Sequence, residues 1–191
     1  MGRTAVFIDG GYLDKILKNL YGEARIDVGK LTDELVGSDE KLRTYYYHCP
    51  PYQSHPPTSA ESERFANKTK FFAALQRLPR FEVRLGKLRK IINPETGRDE
   101  FEQKRVDVLL SVDLVLLSSK HLISRAVILG GDEDFVPAVR IAKDEGVIVT
   151  LYYAYDKAAG VSCSAELQKA CDECVRIEKD LIQRVLMIKN P

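Results

Sequence analysis

Little in this chain of 191 residues points to a membrane or to an oxidising compartment. No apolar run approaches the roughly 18 residues needed to span a bilayer, and no basic-then-apolar leader opens the sequence, so a cytoplasmic location is expected. Cysteine is scarce: the four residues Cys49, Cys163, Cys171 and Cys174 fall short of a disulfide scaffold. Cys171 and Cys174 have the spacing of half a zinc site, but no second ligand pair accompanies them, and two reduced thiols at a helix end are expected. Neither sign of charge dominates at a net +1. Any contact with nucleic acid must therefore rest on where Lys and Arg cluster rather than on their total. Internal repeats and low-complexity stretches are also absent.

Signatures of nucleophilic catalysis are missing too. His48, His55 and His121 stand in no recognisable motif with a Ser or Cys, and His55 lies in a Pro-rich loop. Gly10-Gly11 is followed by Leu13 and Asp14 rather than by the rest of a phosphate-cradling Gly-x-Gly-x-x-Gly loop, so no nucleotide cofactor is expected.

What remains is an α/β pattern in a single expected domain, residues 1–191. Ala5-Val6-Phe7-Ile8 and Ala126-Val127-Ile128-Leu129 are short apolar runs without polar alternation, as expected of parallel strands covered by helices on both faces. Leu13, Ile16, Leu17 and Leu20 share one helix face ahead of Gly22, which makes the opening unit strand, tight turn, helix. Further strands are predicted over 41–48, 81–85 and 147–152, with an edge strand over 175–177. Helices are predicted over 60–78, 106–117, 135–145, 165–170 and 180–187, and residues 50–59 form a loop. Residues 88–92 and 100–103 read as the arms of an exposed hairpin flap around Asn93-Pro94-Glu95-Thr96-Gly97.

Acids gather where two of the strands end. Asp9 follows the first; Asp132 and Asp134, in Gly130-Gly131-Asp132-Glu133-Asp134-Phe135, follow the later one. Ligands of open parallel sheets bind beyond the carboxyl ends of strands. Carboxylates there suit Mg²⁺ or Mn²⁺, which prefer oxygen donors and share them with substrate phosphate. Asp134 has a second reading, as the cap of the helix from Phe135. Asp107 stands at a helix entrance behind Lys104 and Arg105. Asp113, six positions on, points about 120° away, so the two cannot chelate one ion and need separate explanations. Burying Asp113 among Val112, Leu114 and Val115 requires a metal, a cation or hydrogen-bond donors.

Arg80, Arg84, Lys87, Arg89 and Lys90 put five cations into eleven residues with only Glu82 opposing them. They read either as a stripe contacting a phosphate backbone or as a solvated basic edge that discourages sheet aggregation. Tyr45, Tyr46, Tyr47 and Tyr52 read as core packing, with base stacking as the other option.

The blocks Phe7-Ile8-Asp9-Gly10-Gly11-Tyr12-Leu13, Lys104-Arg105-Val106-Asp107 with Asp113, Gly131-Asp132-Glu133-Asp134-Phe135-Val136-Pro137 and Ser164-Ala165-Glu166-Leu167 resemble the NYN domain, in particular its LabA-like branch. They stand in the family's order across nearly the whole chain. The resemblance implies a PIN-like, Rossmann-like three-layer sandwich with a mostly parallel central sheet of order 3-2-1-4-5. It also implies a metal-dependent ribonuclease with catalytic Asp9, Asp107, Asp132 and Asp134, the same four acids binding Mg²⁺ or Mn²⁺, and Asp113 as a fifth ligand candidate. Lys104 and Ser164 would face substrate phosphate, and Arg84, Lys87 and Arg89 would extend the contact. The chain departs from the family pattern at Tyr12, where many members carry Asn, and at Gly130. The expected activity is hydrolysis of RNA phosphodiester bonds, the alternative being a non-catalytic RNA-binding or regulatory module. RNA is the expected partner, no membrane association is expected, and a homodimer is left open. A dehalogenase-like phosphatase would need a second Asp where Gly11 stands.

Overall fold

The computed structural model describes residues 2–93 and 99–187. Strand β1 (Arg3–Asp9) leads into α1 (Gly10–Leu20) and α2 (Val28–Val36). Then come β2 (Glu40–His48), α3 (Ser59–Gln76), β3 (Phe81–Leu85), the ribbon β4 (Lys87–Ile92) and β5 (Asp99–Lys104), and α4 (Val106–Ser119). The remainder is β6 (Arg125–Leu129), a 3-10 turn Glu133–Phe135, α5 (Val136–Asp144), β7 (Ile148–Tyr153), α6 (Ala165–Ala170), β8 (Glu173–Arg176) and α7 (Lys179–Arg184).

Six parallel strands form one sheet in the order β3-β2-β1-β6-β7-β8. The first five positions match the expected order 3-2-1-4-5, and β8 adds an edge strand. β4 and β5 pair antiparallel as a separate ribbon, the expected flap; its turn, residues 94–97, lies outside the described residues. Side-chain alternation along β1 divides the core: Ala5 and Phe7 pack with α4, α5 and α6, while Val6 and Ile8 pack with α1, α2, α3 and α7. This is a three-layer α/β arrangement, with the central strands β1 and β6 buried on both faces and the edge strand β8 exposed. The three consecutive tyrosines of β2 are core residues, Tyr45 and Tyr47 on the first face and Tyr46 on the second. Tyr52 instead sits against the ring of exposed Phe101 on the ribbon, centroids 5.3 Å apart.

Two elements differ from the expectation. Helix α2 was not predicted, although Val28, Leu31 and Leu35 share its buried face, Asp27 accepts from the Lys30 N–H as its N-cap, and Gly37 follows it at φ +65°. The helix predicted from Phe135 begins at Val136 after the 3-10 turn, and the capping acid is Asp132, whose Oδ1 accepts from the Asp134 N–H at 3.1 Å. Asp134 is therefore not the cap, and its carboxylate is left for other work. Among the described residues no helix is long and apolar enough to cross a membrane.

Candidate metal centre

Parallel strands β1 and β6 are neighbours, so their carboxyl ends bring Asp9 and the segment after Leu129 to the same rim. Asp9 is fixed by the helix it starts: its Oδ1 accepts from the N–H groups of Gly11 and Tyr12 at 2.9 and 3.0 Å. That leaves Oδ2 as the oxygen available to the rim. Burial pushes its carboxyl up to about 6, and the charge of Asp107 adds to the rise against the two backbone donors.

Asp107 arrives from the other side. Arg105 adopts a left-handed φ of +79°, strained for a residue with a side chain, and turns the chain from the ribbon into α4. Asp107 is then in the first turn of α4 and partly buried. Burial, followed by the charges of Asp132 and Asp134, raises its carboxyl above the usual range. One carboxylate oxygen from each of Asp107, Asp132 and Asp134 can be chosen so that all three lie within 4.8 Å of one another. Like charges held that close repel, and a cation between them relieves the repulsion.

A cavity of about 660 Å³ opens at this rim, lined by Asp9, Asp107, Asp132 and Glu133 on the acidic side and by Gly11, Tyr12, Lys15, Ser162, Cys163 and Ser164 among others. Gly131 is required here by close approach: a Cβ on it would come within 2.7 Å of the Tyr12 ring and 2.8 Å of the Ser162 carbonyl oxygen. The Tyr12 hydroxyl donates to the Ala154 carbonyl at 2.8 Å and accepts from the Ala154 N–H at 3.1 Å. The ring is thus clamped, and burial pushes the phenol up to about 12.

The candidate residues do not all meet. Asp107, Asp132 and Asp134 form the close group, and Asp9 lines the same cavity. Asp113 stands apart from that group. Its Oδ2 accepts from the Tyr47 hydroxyl at 2.9 Å and lies 3.4 Å from Arg84 Nε, so a sheet tyrosine and arginine compensate its charge where a metal had been an expectation. Arg84 is accordingly occupied: beside Asp113 it lies 3.9 Å from Glu82 and over the Tyr45 ring. Lys87 and Arg89 are exposed on one face of the ribbon, and Lys87 pairs in register with Lys104. Ser164 lines the cavity as N-cap of α6, with its Oγ accepting from the Glu166 and Leu167 N–H groups and its own N–H donating to Gly131. Cys171 and Cys174 are free thiols, one buried and one exposed.

Glu133, Lys15, Ser162 and Cys163 line the cavity without having been singled out from the sequence. Lys15 was the most accessible of these to reasoning, since it stands four residues after Gly11 on α1 and so shares its face. Ser162, in a loop, carries no local signal.

A solved structure from Vibrio parahaemolyticus, of the protein of unknown function VPA0982, is similar over 97% of this chain and 96% of its own, at 20% identity and a TM-score of 0.63, a likeness of fold. The uncharacterized protein y4oD of Sinorhizobium fredii is 34% identical over 89 residues, a stretch covering 47% of this chain and only 41% of that relative. The model of the NYN domain matches residues 3–178, which run from the first residue of β1 to just past β8 and include every acid of the rim. The chain therefore belongs to the NYN domain family, a PIN-like nuclease family, and carries an aspartate cluster at the carboxyl ends of its strands.

Proposed function

We propose that the chain is a ribonuclease of the LabA-like branch that hydrolyses RNA phosphodiester bonds with Mg²⁺ or Mn²⁺. The observation that carries this reading is the convergence of carboxylate oxygens of Asp107, Asp132 and Asp134 to within 4.8 Å, at an open cavity that Asp107 and Asp132 line together with Asp9. The donor set fits a hard divalent cation: all oxygen, multiply charged, partly solvated and open toward a substrate. Asp107, Asp132 and Asp134 would hold the ion, with Asp9 Oδ2 facing it or a water in its shell. Such an ion, when bound, lowers the pKa of water and neutralises charge building on phosphorus.

The chain's own groups do the rest. Two backbone N–H bonds hold the Asp9 carboxylate in one orientation through Oδ1, and burial raises its carboxyl to about 6, so that above that pH Oδ2 is able to accept a proton. The exposed cations Lys87, Arg89 and Lys104 lie on the ribbon, whose strand β5 runs into α4, and would guide the phosphate backbone toward Asp107. Arg84, tied to Asp113, is assigned to structure and leaves that set.

The test is cleavage of single-stranded and structured RNA with Mg²⁺ or Mn²⁺ by the wild type and by Asp132→Asn and Asp107→Asn. Each substitution is expected to lower the rate at least about 100-fold, because it removes a negative ligand from the cation. Cleavage that survives both substitutions overturns the mechanism. One observation favours the second reading, a non-catalytic RNA-binding module: with its hydroxyl spent on Ala154, Tyr12 brings no free polar group to the cavity. That module would bind RNA in a salt-sensitive way and never cut it.

A further inference from the structure

The cavity has two unlike walls. One carries the acids. The other is built by α1 and the loop before α6, and among the described residues lining the cavity it holds a single cation, Lys15. Lys15 stands one helical turn beyond Gly11 and three residues beyond Tyr12, so the three present one side of α1 to the cavity. The clamped Tyr12 ring fixes this side, because its hydroxyl is bonded twice to the Ala154 backbone. Lys15 itself is exposed, and no hydrogen bond or ion pair holds its ammonium among the described residues. An unpaired lysine facing four acids across an open cavity, without closing onto any of them, leaves a gap between positive and negative walls.

We infer that this second wall is a phosphate subsite, in which the Lys15 ammonium and the segment Ser162–Ser164 receive one phosphate of the RNA backbone while the acids hold the cation. The inference rests on the ribonuclease reading and deepens it by naming the residue that positions the substrate. The charge pattern fits an anion that bridges the bound cation and Lys15, which a phosphodiester does. A neutral substrate would gain nothing from Lys15, and any anion, the phosphodiester included, meets the acids favourably only with a cation between them. The volume of about 660 Å³ is that of a site for a small ligand or for one or two nucleotides, larger than a cation with its waters requires. Lys104, expected from the resemblance to face the phosphate, is exposed and outside the cavity lining, so on this reading it would meet the backbone only on the approach.

Binding and turnover are measured separately on the full chain. Binding of a fluorescein-labelled single-stranded RNA is followed by anisotropy over a range of KCl in the presence of Ca²⁺, which can occupy an all-oxygen site, for wild type, Lys15→Ala, Lys15→Arg and the exposed control Lys18→Ala. Removing one phosphate contact is expected to weaken binding about 5- to 10-fold at 0.1 M salt and to lower the slope of log K against log salt by about 0.7. Lys15→Arg should restore both, and Lys18→Ala should change neither. In the cleavage assay Lys15→Ala should raise KM by a similar factor with kcat nearly unchanged, while Mn²⁺ affinity stays the same or tightens slightly. An unaltered salt slope and KM for Lys15→Ala overturn the subsite even where wild-type cleavage is robust. A wild type that neither binds nor cuts RNA takes down the ribonuclease reading and the subsite with it.

Discussion

Asp9 shows how one residue can serve structure and site at once, and at what cost. Its Oδ1 caps α1, yet its charge is partly buried next to Asp107, and its carboxyl is pushed up to about 6. An acid whose folded pKa lies above its unfolded value of about 3.8 keeps extra protons in the native state. Stability therefore falls as pH rises from about 4 to about 6, and the penalty is complete above that. Its size is on the order of 2–3 kcal/mol. Asp9→Asn keeps the cap oxygen and removes the charge, so the metal-free variant should melt above the wild type at pH 7.5 and level with it at pH 3.5. Equal melting temperatures at pH 7.5 would refute the assignment. At the same scale, the acids after each strand were legible from sequence, because a charged residue that ends an apolar run has few structural reasons to be there. The division of labour between them was not: Asp132 caps the 3-10 turn, Asp134 does not, and hydrogen-bond direction decides this.

Among the elements, α4 is the least conventional. It is apolar on nearly every side and exposes Val108, Val112 and Leu116, and no N-cap side chain supports its start. Its position over the sheet is fixed partly by Asp113, which accepts from Tyr47 of β2 and meets Arg84 of β3. Asp113→Ala leaves the Tyr47 hydroxyl and the Arg84 cation without this partner, and should destabilise the protein by about 1–3 kcal/mol in urea denaturation. Asp113→Asn, which keeps an acceptor, should cost less. In both variants Mn²⁺ affinity should stay within about threefold of wild type; a loss as large as that for Asp107→Ala would return Asp113 to the metal site. Helical spacing alone separated Asp113 from Asp107, so the sequence told that they could not share an ion. It did not tell that the compensating groups would come from the sheet, since Tyr47 and Asp113 are 66 residues apart. Helix α2 is a different case. Its cap, stop and periodicity are all local, and the signal was there to be read.

For the whole molecule, a cation held by Asp107 from α4 and by Asp132 and Asp134 from the β6–α5 connection would tie together segments far apart in the chain. Such a ligand, bound only when those segments are folded together, stabilises the native state by about 2.7 kcal/mol at a hundredfold excess over its Kd. For a protein of this size that corresponds to a rise of about 5–10 °C in Tm. Mn²⁺ should produce this rise, EDTA should reverse it, and Asp107→Asn should largely abolish it. An unchanged Tm in saturating Mn²⁺ would speak against a metal centre. The sequence by itself determined the parallel sheet, since strands apolar on every side can be buried only between two helical layers, and it determined that acids stand at the strand ends. Only the tertiary structure decided which acids converge, that Asp113 belongs to the sheet and that Lys15 faces the cavity. Those relations depend on the register of β1 against β6 and on the rotation of α1 and α4 over the sheet, and these are set by packing between residues remote in sequence.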